Sequence, residues 1–256
     1  MQQVPRAQLF HRAELLLGAA AMERVQAASA ILFGVGGVGS WTAEALVRTG
    51  LGRLTIVDSD VICPTNVNRQ AQATARNVGL SKVDELRKRL LEINPEAEVT
   101  AVKALFSEET RAQFDLGSYD YVLDAIDSLR HKVLLLRLCF ENNHKVFASM
   151  GAAAKLDPAQ VRCGPLSKTT HCPLARVLRH ELRAQGVEGD CLCVYSAEPP
   201  AQNKGRTFCG SAVCACPDKD ELNLCAAKAK INGSLVHVTA PFGFALAGLV
   251  IQDLSQ

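Results

Sequence analysis

Apolar and polar residues follow two different patterns along the first 155 positions. Short continuous apolar runs predict buried strands, and longer stretches with apolar side chains every three or four positions predict helices that cover them. The stretch 77–94 places four apolar side chains on one helical face: Val83, Leu86, Leu90 and Ile93. Because the two patterns alternate, the predicted fold is α/β, with a Rossmann-like, doubly wound and mostly parallel sheet.

The first part of the chain is predicted to hold strands and helices in alternation. The predicted strands are residues 28–33, 53–60, 98–105, 119–127 and 144–152. The predicted helices are residues 6–22, 41–50, 77–94 and 128–143. Gly50 and the pair Asn94-Pro95 are typical helix terminators and set two of these ends.

The pattern changes after Gly151 and predicts a C-terminal extension of additional strands and a helix. Its predicted parts are a strand over 159–164, a basic helix over 173–186, a strand over 191–199, a Cys-rich loop over about 199–230, and a last strand and helix within 234–251. We therefore expect a single domain over residues 1–256, with a core over 1–155 and the extension over 156–256.

Composition narrows the classes of protein. Apolar residues make up 48% of the chain and charged residues 21%, which is ordinary for a globular protein. The net charge of +2 excludes the global basic field of non-specific nucleic-acid binders. The apolar stretch from Ser234 to Ile251 contains Pro241, which favours core elements over a membrane anchor. Without an apolar leader we expect a cytoplasmic location, no membrane insertion and reduced cysteines.

A glycine-rich turn follows the first predicted strand and opens the next helix, with glycines at Gly34, Gly36, Gly37 and Gly39. Glycine allows close backbone approach there, and the helix N-terminus offers free N–H groups to phosphate oxygens. Asp58 ends the second strand, where an acid commonly holds ribose hydroxyls. The turn predicts nucleotide binding but does not distinguish NAD, FAD and ATP.

Charged residues downstream favour a triphosphate. Asn66, Arg69 and Lys82 follow the second strand, and an arginine and a lysine near the glycine turn can neutralise phosphate charge and stabilise a leaving pyrophosphate. Asp124 and Asp127 lie at the end of the fourth predicted strand. A carboxylate at that edge of the sheet can hold Mg²⁺ together with substrate phosphates, although Asp127 also suits a helix N-cap.

Four segments resemble the ubiquitin-activating (E1-like) superfamily of carboxylate-adenylating enzymes: GVGGVGS at 34–40, TIVDSDVICPTNVNRQ at 55–70, VGLSKVDELRKRLLEINP at 78–95 and YVLDAIDS at 121–128. The match in order and spacing runs through residues 6–155. The resemblance implies binding of ATP and Mg²⁺, formation of an acyl-adenylate and a homodimer.

The resemblance also implies roles for individual residues. Asp58 would hold the ribose, and Asp127 would hold Mg²⁺. Arg12 would reach across the dimer to the partner's ATP. Three residues would contact the phosphates: Asn66, Arg69 and Lys82.

Residues 151–183, 191–200 and 230–248 resemble the tRNA threonylcarbamoyladenosine dehydratase branch of this superfamily. That resemblance implies a tRNA substrate bearing threonylcarbamoyladenosine at position 37, whose carboxylate is adenylated and then closes a ring. The extension would then lie on the substrate side. Members of the branch usually carry Asp-Pro where this chain has Cys172-Pro173, which puts any role of that acid in doubt.

The basic helix of the extension gives separate support for a nucleic-acid partner. A phosphate-contacting patch is predicted from Lys168, Arg176, Arg179, His180 and Arg183. A solvated helix face explains the same residues equally well.

The Cys-rich loop holds four cysteines at a spacing unlike the paired CxxC of structural zinc sites: Cys209, Cys214, Cys216 and Cys225. We expect no zinc there. Sulfur-carrier activators of the superfamily often have two CxxC pairs, so adenylation of a ubiquitin-like sulfur carrier is the second hypothesis. A nucleotide-binding scaffold that partners a sulfur-transfer protein and an NAD-linked oxidoreductase are further alternatives.

Overall fold

The computed structural model describes residues 5–206 and 232–256. Within these residues one seven-stranded sheet has the order β3-β2-β1-β4-β5-β7-β6. The strands β1 to β7 are Ser29–Phe33, Arg53–Val57, Glu98–Val102, Tyr121–Asp124, Val146–Ser149, Val161–Pro165 and Leu192–Ser196. All neighbours pair in parallel except β6 and β7, so the predicted doubly wound, mostly parallel sheet is confirmed.

Helices cover both faces of the sheet. In chain order, α1 to α8 are Arg6–Leu9, His11–Leu17, Ala19–Ala27, Gly39–Thr49, Lys82–Ile93, Leu129–Glu141, Pro173–Ala184 and Val236–Leu254. The buried side chains of α4, α5 and α8 belong to one apolar core, and those of α6 and α7 belong to the core on the opposite face.

The carboxyl ends of β1 and β4 form the edge where a ligand is expected. Phe33, at the end of β1, is in register with Val57 of β2 and with Asp124 of β4. The chain crosses from β1 to β2 on one side and reaches β4 on the other, so the crossovers diverge between these strands. Such a switch point leaves a crevice at the carboxyl edge of an open sheet.

The extension joins the same sheet. β7 pairs in parallel with β5, and β6 pairs antiparallel with β7 at the edge. The strand predicted just before the last helix is wrong, because the helix begins at Val236 and continues through Pro241 to Leu254. Packing against α4 buries this helix, and tertiary packing therefore outweighs the hydrogen bond that the proline removes.

The predicted helix 6–22 is also corrected, since α1, α2 and α3 are three separate helices. Gly18 has a φ of 82° between α2 and α3, in the left-handed region that ends a helix. Phe10, between α1 and α2, is buried at 6% exposure beside Gly50. Because Phe10 packs at the end of α4, the chain bends between α1 and α2.

The last helix, α8, is long and apolar enough to cross a membrane by length and composition alone. Half of that window is buried, with Phe242 and Leu246 at 0% exposure. The helix therefore packs as a core element, as predicted.

Candidate nucleotide-binding site

Two glycines make the turn between β1 and α4 possible. Gly34 has a φ of 85°, and a Cβ added there would lie 2.7 Å from the carbonyl oxygen of Ala125. A Cβ on Gly39 would lie 1.8 Å from the carbonyl oxygen of Gly34. Backbone atoms cannot yield at such distances, so only glycine fits at both positions. The turn brings the N-terminus of α4 to the carboxyl edge of the sheet.

Arg69 packs over the middle of the glycine turn. Its Cδ lies 3.1 Å from where a Cβ on Gly37 would be, while Gly36 faces more open space. The Arg69 guanidinium donates to the Thr65 carbonyl oxygen at 2.7 Å and to Asn68 Oδ1 at 2.9 Å. The structure thus places Arg69, the predicted phosphate-binding arginine, next to the glycine turn that is predicted to bind the phosphates.

Asp58 lies where β2 ends and is hydrogen-bonded to the same turn. Its Oδ2 accepts the backbone N–H of Val35 at 2.8 Å, and its Oδ1 accepts that of Asp60 at 2.9 Å. Burial raises the pKa of Asp58, and the positive charge of Lys82 opposes this shift. The carboxylate is therefore held firmly beside the turn, a position that suits contact with a ribose.

Lys82, the first residue of α5, is buried and paired with an acid that sequence analysis did not single out. Its Nζ lies 2.6 Å from Asp60 Oδ2 and 3.9 Å from Asp58 Oδ1. Burial alone would lower the pKa of Lys82, but the carboxylates of Asp58 and Asp60 outweigh it and raise this pKa. Lys82 is consequently positively charged, and Asp60 is its counter-ion in this structure.

Asn66 and two glutamines line the segment that carries Arg69. Asn66 is buried, and its Oδ1 accepts the Cys63 backbone N–H at 3.0 Å, so part of its amide shapes the turn. Gln72 Nε2 donates to the Val35 carbonyl oxygen at 2.9 Å. Within the described residues, Oε1 of Gln70 and Oε1 of Gln72 are buried without a hydrogen-bond partner. Such acceptors suit the donors of a bound ligand or its waters.

The two acids after β4 have different roles. Asp124 is fully buried, with Oδ2 2.7 Å from Lys132 Nζ and Oδ1 accepting the Ile126 N–H at 3.0 Å. Lys132 also donates to the Ser149 carbonyl oxygen at 3.0 Å, which ties β4, β5 and α6 together. Burial raises the pKa of Asp124, against the attraction of Lys132. Asp124 is therefore occupied inside the fold, whereas Asp127, the acid predicted to hold Mg²⁺, is exposed.

The donor set suits the phosphates of a nucleotide, and Asp127 is near enough for its charge to contribute to the raised pKa of Lys82. No group of three or more His, Cys, Asp or Glu side chains that could hold a metal is found in residues 5–206 and 232–256. A metal beside Asp127 would therefore need oxygen ligands from elsewhere, and Mg²⁺ usually combines one or two carboxylates with substrate phosphates. The glycine turn, Arg69 and Lys82 supply the complementary groups for those phosphates.

Other predicted residues lie on different parts of the molecule. Arg12 is exposed on α2. Lys168, Arg176 and Arg183 are exposed along and just before α7. The four cysteines of the predicted loop lie outside the described residues, so the zinc question stays a prediction.

Cys172, where the resembled branch usually carries an acid, caps the helix that follows. It is the N-cap of α7, and its Sγ accepts the Ala175 backbone N–H at 3.4 Å. The Sγ lies 3.6 Å from where a Cβ on Gly151 would be. The thiol therefore fills an N-cap position, for which aspartate is among the preferred residues.

Comparison with known proteins defines the class to which this fold and site belong. The ThiF family model matches residues 10–256, and the chain belongs to the ThiF family. It is 42% identical over 191 residues to the tRNA threonylcarbamoyladenosine dehydratase of Bacillus subtilis, covering 75% of each chain. It is 37% identical over 250 residues to the Escherichia coli enzyme of that name, covering 93% of this chain and 90% of the relative.

Solved structures agree with the sequence comparison. The Escherichia coli dehydratase in complex with AMP aligns with a TM-score of 0.85 at 33% identity, over 99% of this chain and 97% of that one. Its complex with ATP aligns with a TM-score of 0.82 at 34% identity, over 97% and 94%. The resemblance drawn from the motifs is confirmed.

Proposed function

We infer that this protein is an ATP-dependent tRNA threonylcarbamoyladenosine dehydratase, which converts that nucleoside to its cyclic form. The observation that carries the inference is the 37% identity to the Escherichia coli enzyme over 93% of this chain. The match spans the extension as well as the nucleotide-binding core, so it includes the part that would meet the substrate. ATP is the co-substrate, and tRNA bearing threonylcarbamoyladenosine is the substrate.

In this proposal the glycine turn and the start of α4 receive the phosphates through backbone N–H groups. Asp58 accepts the ribose hydroxyls, and Asn66, Arg69 and Lys82 contact the phosphates. Lys82 then exchanges part of its contact with Asp60 for a phosphate oxygen. Asp127 holds Mg²⁺, which supplies charge neutralisation on the phosphates when bound.

The chemistry needs positioning and charge neutralisation but no enzyme nucleophile. A carboxylate oxygen of the threonylcarbamoyl group attacks the α-phosphorus of ATP, and pyrophosphate leaves beside Arg69 and Lys82. An internal nucleophile of the same group then attacks the activated carbonyl carbon. The nucleophile releases its proton to solvent and AMP leaves with the former carboxylate oxygen, so the nucleoside loses one water overall.

We also propose that the protein works as a homodimer in which Arg12 contacts the ATP of the second copy. Arg12 lies on α2, whose Leu15 and Leu16 are 73% and 85% exposed. An exposed leucine pair on a short helix favours burial against another surface. Assistance from a sulfur-transfer partner and a cytoplasmic location stay predictions.

Incubation with ATP, Mg²⁺ and tRNA tests the function, with mass analysis of the digested nucleosides. Cyclised nucleoside should form only from tRNA that already bears threonylcarbamoyladenosine, with one AMP per ring. AMP formation that ignores such tRNA would contradict the proposal. Adenylation of a sulfur-carrier C-terminus instead would establish the second hypothesis.

A further inference from the structure

On α7, Arg176, His180 and Arg183 are exposed, and Arg179 beside them is half-buried. The residues are spaced three, four and seven positions apart, which places them on one side of a helix: Arg176, Arg179, His180 and Arg183. The other side is buried through Ala175, Leu178 and Leu182, where α7 packs against α6. The exposed basic side chains surround a shallow groove of about 440 Å³.

This arrangement costs stability in the free protein. Like charges one turn apart on a helix destabilise it by about 0.2–0.5 kcal/mol per pair. Glu181 is the only acid in Pro173–Ala184, and its Oε1 lies 3.6 Å from His180 Nδ1. Arg176 and Arg183 are exposed with no ion pair to an acid of the described residues. An anionic partner would relieve this repulsion.

Arg179 has a different position from the other three. Its Nη1 donates to the carbonyl oxygen of Leu166 at 3.1 Å and to that of Thr169 at 3.3 Å, and also contacts the Thr169 hydroxyl. The guanidinium thereby fixes the turn that precedes α7 and carries the exposed Lys168. Arg179, predicted to contact phosphate, therefore also anchors the patch to the turn before α7.

The patch begins at the edge of the sheet that holds the nucleotide site. Lys155, on the segment after β5, donates from Nζ to the carbonyl oxygen of His171 at 3.1 Å, immediately before the cap of α7. Gly151, just after β5, also lies against this cap, since a Cβ added there would be 3.6 Å from Cys172 Sγ. The N-terminus of α7 is therefore close to the carboxyl end of β5. Arg176 and Arg183 are separated by about 10 Å along the axis, from a rise of about 1.5 Å per residue.

We propose that the basic face of α7, with Arg176, His180 and Arg183 beside Lys168, binds the sugar–phosphate backbone of the tRNA whose modified base enters the nucleotide site. The proposal rests on the dehydratase function. The chain as a whole carries a net charge of only +2, so tRNA affinity must come from local clusters such as this one. Phosphate contacts set affinity and register without reading bases, so this surface positions the tRNA rather than selecting its sequence.

The test uses the full-length protein with Arg176→Gln/Arg183→Gln. Glutamine keeps helix propensity and length while removing charge. A matched control, Arg87→Gln/Lys88→Gln, removes two exposed charges from α5 on the opposite face of the sheet. We expect about tenfold weaker tRNA binding for the α7 variant, a higher KM for tRNA and an unchanged KM for ATP. Each lost phosphate contact should reduce the slope of log K against log salt by about 0.7–0.9.

Three outcomes would overturn the proposal. One is an equal loss in the α5 control, because that would indicate net charge alone. Another is unchanged tRNA binding and salt slope in the α7 variant while wild-type protein cyclises tRNA normally. The third is wild-type binding to vesicles with anionic headgroups that is stronger than tRNA binding and lost in the α7 variant. If wild-type protein binds tRNA through α7 but forms no cyclic nucleoside, the function fails and the surface stands.

Discussion

Lys82 Nζ lies 2.6 Å from Asp60 Oδ2, and the backbone N–H of Lys82 donates to the Asp60 carbonyl oxygen at 3.1 Å. An antiparallel bridge between Val61 and Ser81 holds the two segments together. The side chain of Lys82 is 7% exposed and that of Asp60 is 45% exposed, so the acid is the solvent-facing partner. Asp60 therefore positions the lysine that the proposed chemistry uses.

Asp60→Asn should move both the acid limb and the alkaline limb of the pH–rate profile to lower pH. Loss of the carboxylate removes an attraction that raises the pKa of Lys82 and a repulsion that raises the pKa of Asp58, so both values fall. The measurement is kcat/KM for ATP from acid to alkaline pH. Asp84→Asn, which changes an exposed acid in the first turn of α5, should leave the profile in place. A limb that moved to higher pH would contradict this arrangement.

Asp127→Asn should lower kcat by about 100-fold, because Mg²⁺ would lose a carboxylate ligand and would neutralise the phosphates less in the transition state. The check is single-turnover cyclisation together with calorimetry of ATP binding at several Mg²⁺ concentrations. Asp84→Asn again serves as the control. Full activity of the Asp127 variant would favour the scaffold alternative.

Lys132→Met should destabilise the fold by about 3–5 kcal/mol, because it leaves the buried Asp124 carboxylate without its partner. Both side chains have 0% exposure. The double variant Lys132→Met/Asp124→Asn should recover much of the loss. Urea unfolding of the four proteins in this cycle gives the coupling energy, and additive effects would show that the pair is energetically independent.

Gly243→Ala should lower stability by about 1–3 kcal/mol and raise the KM for ATP. A Cβ there would lie 2.6 Å from the Val38 carbonyl oxygen and 2.7 Å from Trp41 Cβ, which pushes α8 away from α4. Trp41 Nε1 donates to the Arg69 carbonyl oxygen at 2.9 Å, so the displacement reaches the phosphate-binding arginine.

Gly248→Ala on the same helix is the matched control for this change. Nothing lies within 4 Å of its added Cβ, and alanine should stabilise the helix by about 0.5–1 kcal/mol. Thermal unfolding and ATP titration of both variants are the measurements. Equal effects at the two positions would show that close approach of α8 is unimportant.

Asp253→Asn should destabilise the protein by about 1 kcal/mol at neutral pH and have little effect in strong acid. Asp253 Oδ2 accepts from Tyr121 Oη and from Lys145 Nζ, each at 2.5 Å. Burial would raise the pKa of Asp253, but these hydrogen bonds outweigh it and lower the pKa. A lowered pKa gives stability above the unfolded value of 3.8 that is lost as pH falls through the folded value. Unfolding measured across acid pH checks the sign.

Local chemistry explains which parts of the site the sequence predicted well. The turn from Gly34 to Gly39 and helix α5 are determined by residues close in sequence, because steric limits and apolar periodicity act over a few positions. The structure accordingly places Arg69 and Lys82 beside the turn as expected.

Long-range contacts explain what sequence analysis missed. The burial of Asp124 depends on Lys132, which lies one element later in the chain. A lysine within the apolar stretch of α6 is a usable signal, because a buried lysine needs a buried acid. No local pattern marks Asp60 as the partner of Lys82, or shows that α8 continues through Pro241 against α4.

The contact between α8 and the first turn of α4 also determines when, during synthesis of the chain, the nucleotide site becomes complete. All seven strands leave the ribosome before α8, yet Gly243 and Phe244 complete the surface against which Trp41 packs. A nascent chain in which the strands are complete but α8 has not yet been synthesised would expose one side of α4, the proposed phosphate-binding helix. Nucleotide affinity during translation should therefore develop late, after residue 243 has emerged and docked.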